Sequence, residues 1–189
     1  MSLPAGRQVT RFNMIAKIII NILLIIGLGA AQMAFISGLP GPFNNLNLVL
    51  VILIFILGFT SFNFAVSWTM GMGFMLEVFL FLPFGVYLVS LILMIIIASF
   101  LLDYFFTNRS LYSFLALVFL STIIYELIIS SLAFIFMGTD ANFFPASLDF
   151  WQAILKQIGF NLLATVFIYY LVHFFGNNLQ PVFLTRNKK

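Results

Sequence analysis

A chain of 189 residues that is 63% hydrophobic and 7% charged, with a mean hydropathy of +1.20, cannot furnish the surface of a soluble domain, which carries about 25% charged residues. It contains no cysteine, which excludes disulfides, thiolate catalysis and cysteine-held metals, and its net charge of +3 rests on eight basic residues whose positions matter more than their sum. The class is an all-α polytopic membrane protein, read as a single membrane domain over 1–189 with short basic tails at both ends.

Arg7, Arg11 and Lys17 precede an apolar run from Ile18 to Ile36, so helix one is placed at 14–36. The charged start, apolar middle and Gly29-Ala30-Ala31 also fit a signal peptide, but the run exceeds the usual length of an h-region. Gly27, Ala30, Ala31 and Ala34 give helix one a small-residue surface suited to ordinary helix contact. A loop free of charge follows, rich in turn formers: Gly38, Pro40, Gly41 and Pro42. Helices two and three are placed at 46–62 and 64–82, with a minimal turn near Asn63. That is close to the lower limit for two crossings at about 17–25 residues each, so one long crossing plus a re-entrant piece is the competing assignment.

Helix three holds the stretch on which the chain is organised, Gly71 to Gly85. Gly71 and Gly73 remove bulk so that another helix can approach. Glu77 follows in the apolar run, where a carboxylate costs about 2.5–3.5 kcal/mol on insertion scales and usually faces a protein interior or a cavity. Pro83 then ends the helix. Helix four, 85–106, ends at the water-facing residues Asp103, Asn108 and Arg109, and Asn108-Arg109-Ser110 matches a glycosylation acceptor only at the level of chance. Helix five, 111–137, carries Glu126 with Thr122 and Ser130 one turn to either side. After a loop containing Asp140, Asn142 and Asp149 comes helix six, 150–175, with Trp151 in the position of an interfacial aromatic. Gln157, Asn161, Thr165, Tyr169 and His173 recur along it at four-residue spacing, a stripe that faces protein.

Every Lys and Arg except Lys156 falls with the two termini or the loop after Asp103, so the positive-inside rule predicts six transmembrane helices with both termini cytoplasmic. On that topology Glu77 and Lys156 lie at similar depth near the outer face and form the obvious ion pair. The alternative has Lys156 reaching outward to headgroups while Glu77 sits protonated against the glycines. Glu126 is level with Asn161, whose amide can donate two hydrogen bonds.

The chemistry consists mostly of absences. One histidine builds no metal site, and there is no HExxH, no phosphate-binding glycine loop, no Ser-His-Asp set and no basic nucleic-acid patch, so no catalytic residue, cofactor, metal or nucleic-acid partner is expected. His173 reads as a helix-terminal histidine, and Met70, Met72 and Met75 as packing. An intramembrane enzyme would need Glu77 and Glu126 at one depth, and the count places them roughly 9 Å apart along the bilayer normal.

The order of features resembles the bacterial rod shape-determining protein family MreD. The resemblance runs over most of 14–178 and rests on Gly38-Leu39-Pro40, Gly71-Met72-Gly73, Glu77, Pro83-Phe84-Gly85, the pair Tyr125-Glu126 and Asn161. The chain departs from the family where Glu77 stands for the usual Asp, and where Ser61-Phe62-Asn63 lacks the basic residue often found between helices two and three. The resemblance implies a non-enzymatic multi-pass protein of the bacterial cytoplasmic (inner) membrane. Such a protein belongs to the cell-elongation machinery, binding the single-span membrane protein MreC and the cell-wall (peptidoglycan) synthesis complex. A six-helix domain of this size is also similar to the substrate-binding subunits of energy-coupling-factor vitamin transporters, to which MreD-like proteins look related in fold. A transporter subunit requires converging hydrogen-bonding groups, whereas the outer loops offer few beyond Asn44, Asn45, Asp140, Asn142 and Asp149.

Overall fold

The computed structural model describes residues 5–36, 38, 44–79, 82–106, 110–138 and 148–179. Among these, every regular element is helical: α1, Ala5–Ala30, which runs on into a π-helical turn, Ala31–Ile36; α2, Leu48–Phe59; α3, Phe62–Phe79; α4, Val86–Tyr104; α5, Leu111–Met137; and α6, Leu148–Leu179. Four segments are long and apolar enough to cross a bilayer: Ile15–Ala34, Val86–Tyr104, Leu111–Met137 and Phe150–Phe174. Pro40 and Gly41, the acid Asp140, Asn142 and the basic tail from Arg186 lie outside the described residues.

The bundle is apolar on the outside as well as the inside. Ile15, Ile18, Ile20, Leu23 and Leu24 of α1 are each more than half exposed, as are Phe167 and Phe174 of α6 and Ile135 of α5. Water would not tolerate such a surface, and lipid is its fitting solvent.

At the centre stands α2. It has 12 residues, about 18 Å at 1.5 Å per residue, which is short of a hydrocarbon core about 30 Å thick. Val49, Leu50, Val51, Leu53 and Ile54 are wholly buried, and α2 touches α3, α4, α5 and α6. The remaining helices wrap it, α3 against α4, α4 against α5 and α5 against α6, with α1 laid on α3. Bare backbone at Gly58 lets the Phe114 ring lie on α2: a Cβ there would come within 2.5 Å of that ring. Phe114 stacks on Phe55 with centroids 4.7 Å apart.

The break between α2 and α3 falls at Thr60 and Ser61, earlier than the expected turn near Asn63. Two hydroxyl-bearing residues set it. Thr60 adopts an extended conformation while its backbone N–H and its hydroxyl both donate to the Ile56 carbonyl. The Ser61 carbonyl then accepts from the N–H groups of Phe64 and Ala65, starting α3. Asn63 therefore lies inside α3, which is described to Phe79, and Leu82 lies in a bend outside it.

Candidate functional site

Gly71, Gly73, Glu77, Pro83 and Gly85 form a single packing unit. Gly71 lies under Ile25 of α1, and a Cβ at Gly73 would stand 2.9 Å from the Leu88 Cα, so α4 crosses α3 backbone to backbone. After α3 the chain turns through Pro83, whose carbonyl accepts from Val86 N–H. Gly85 sits at φ 102°, ψ −21°, the third position of a type II turn, where a side chain would be strained. Gly85 is also the N-cap of α4 and has no side chain with which to cap it. The Glu77 carboxylate does so from the preceding helix: the Leu88 N–H, third in α4, donates to Glu77 Oε1 at 2.9 Å. Glu77 is only 6% exposed, and its Oε2 is buried without a hydrogen-bond partner.

Lys156 does not reach this carboxylate. It is exposed on α6, and no ion pair joins it to Glu77 among the described residues. The depth count put the two residues level but ignored the free N–H groups opening α4, which lie eleven residues along the chain from Glu77 and offer the carboxylate a partner without desolvating an ammonium.

A second unit holds the entry to α2. Residues 44–47 are not α-helical, so their backbone polar groups need partners outside a helix. Two amide side chains do this. Gln32, in the π-helical turn, donates from Nε2 to the Leu46 carbonyl and accepts at Oε1 from Leu48 N–H, both at 2.9 Å. Asn161, wholly buried in α6, accepts at Oδ1 from Asn47 N–H at 2.9 Å and donates from Nδ2 to Thr122 Oγ1 at 3.0 Å. Asn47 caps α2 through its own side chain, which accepts from Leu50 N–H, and lies within hydrogen-bonding reach of the buried Tyr125 hydroxyl. The amide of Asn161 is thus spent on Thr122 and Asn47 rather than on Glu126. The side-chain partner of Glu126 is Gln157, one helical turn before Asn161.

Along the polar stripe of α6, Asn161 and Thr165 are buried, Gln157 and Tyr169 are partly buried, and His173 is exposed with its ring stacked on Tyr169. Met72 is buried in the core and Met75 packs on Gly29, while Met70 is exposed.

Between these two units is a pocket of about 250 Å³, at the end of the bundle where α1, α3 and α5 finish and α2, α4 and α6 begin. Its polar lining comes from helices as much as from connections: Gln32, Tyr87, Tyr125, Glu126 and Gln157, joined by the asparagines at 44, 45 and 47. Leu76, Leu82 and Ile129 supply apolar wall. Counting hydrogen-bonding groups in the loops alone had missed this convergence. Gln32 and Tyr87 carried a signal that went unread: each is a polar side chain within or at the edge of an apolar run, where such groups face protein or a cavity.

Compared with protein-family models, curated proteins and solved structures, the chain matches none. Its own geometry therefore carries the functional argument. Glu77 is engaged by backbone and Glu126 by an amide, on different helices, with Tyr87 within electrostatic range of both.

Proposed function

We propose that this chain is a non-enzymatic, MreD-like component of the bacterial cytoplasmic membrane that acts by binding other membrane proteins, a single-span MreC-like protein and through it the cell-wall synthesis complex. It crosses six times, with both termini cytoplasmic. One observation supports the reading: most of the residues on which the resemblance rests hold structural contacts, in two units. Gly71, Gly73, Glu77, Pro83 and Gly85 make the α3–α4 unit, while Tyr125 and Asn161 meet at Asn47. The roles found for these residues are architectural, which suits a scaffold better than a catalyst.

The test is affinity purification of the tagged chain from mildly solubilised native membranes. The expected companion is a single-span membrane protein with an extracytoplasmic domain. Recovery of ATP-binding cassette ATPases with a transmembrane coupling subunit would instead assign the chain to the transporter class.

A further inference from the structure

The pocket has a charge pattern that selects among ligands. Glu126 is the one Asp, Glu, Lys, Arg or His among the described residues that line it, and its side-chain partner, Gln157, is neutral. No lysine or arginine among the described residues lines it, so a phosphate or carboxylate ligand would find no cation there to pair with. The entry to α2 that forms one wall is already held by Gln32 and Asn161, so that wall is set before any ligand arrives. The Tyr87 hydroxyl makes no hydrogen bond to another described residue, and Tyr87 brings an aromatic ring to the lining beside the acid, while Tyr125, 3% exposed, closes the wall behind it. An aromatic ring beside an acid suits a cation with a flat body. A volume of about 250 Å³ lies just below the roughly 300–1,000 Å³ of drug-sized ligand sites, which limits the ligand to a small one.

We propose that this pocket binds a small ring-bearing organic monocation, with its ammonium on Glu126 and its ring against Tyr87. The site lies beyond the protein-binding role proposed above and does not depend on it.

The test is calorimetric titration of the purified full-length chain in lipid nanodiscs, with empty nanodiscs as the blank. The ligands are benzylamine and two matched in shape, neutral benzyl alcohol and anionic benzoate. Saturable binding of benzylamine is expected, with benzyl alcohol at least tenfold weaker and benzoate silent. Glu126→Gln should weaken benzylamine at least tenfold, and Tyr87→Leu several-fold. Three results would overturn the proposal: equal binding of amine and alcohol, unchanged benzylamine binding in folded Glu126→Gln, or no saturable binding of benzylamine. Should Glu126→Gln not fold, the amine-to-alcohol ratio and Tyr87→Leu still decide.

Discussion

Glu77 of α3 caps the helix that follows its own, accepting the Leu88 N–H at 2.9 Å where Gly85 has no side chain to offer. The acid, the proline-glycine turn and the start of α4 therefore work as one device. Gly85 supplies the backbone conformation of the turn, and Glu77 supplies the acceptor that a serine or aspartate N-cap would otherwise provide.

Removing the acceptor should be costly. Glu77→Leu leaves Leu88 N–H without its partner and is expected to destabilise the protein by about 1–2 kcal/mol, within the range for a lost N-cap. Glu77→Gln retains an acceptor oxygen and should cost less. Reversible unfolding in mixed micelles measures both, and equal losses would mean that the cap contributes nothing.

The two glycines of α3 should differ in their response to alanine. At Gly73 the new methyl would meet the Leu88 Cα at 2.9 Å, which only a shift of α4 can relieve, at a cost of about 1–3 kcal/mol. At Gly71 it would meet the tip of Ile25, which can rotate away, so Gly71→Ala should be milder. The same unfolding assay ranks them.

Asn161→Leu should strip the acceptor from Asn47 N–H and cost about 1–3 kcal/mol. Asn161→Asp keeps an acceptor oxygen and should recover part of the loss. Because Gln32 holds the same segment, the effects of Gln32→Leu and Asn161→Leu should not add, and strict additivity in a double-mutant cycle would show that the two do not share it.

Exchanging charges between positions 77 and 156 gives a sharp negative expectation. With Lys156 exposed and Glu77 bonded to backbone, Lys156→Glu should alter folded yield little, and adding it to Glu77→Lys should rescue nothing. Rescue measured as membrane yield would restore the ion pair.

Topology is checked by protease access in intact cells. Tags at both termini should be protected and reporters at Gly41 and Asn142 exposed. An exposed C-terminus would leave an odd number of crossings, with α2 the piece that fails to traverse.

The helices were legible wherever hydropathy alone defines them. The expected 111–137 coincides with α5, and 85–106 overshoots α4 by one or two residues at each end. The boundary between α2 and α3 was misplaced because hydroxyl-to-carbonyl bonds at Thr60 draw it, and hydropathy does not register them. Glu77, Asn161 and Tyr125 stood out as polar groups in apolar runs, but their partners did not: Leu88 N–H and Asn47 N–H are backbone donors, and every residue has one. The pocket is not legible in the sequence because its lining comes from residues far apart in the chain, of which only Asn44 and Asn45 read as loop.

The Asn161 clamp also orders events during synthesis. Asn47 N–H needs an acceptor that lies 114 residues further along the chain, so when α2 has just left the ribosome its opening turn is held by Gln32 and by the Asn47 side chain, with the Asn47 N–H still unmet. A nascent chain stopped before α6 would leave the Asn47 N–H, at the end of the bundle where α2 begins, without the acceptor that the finished chain supplies.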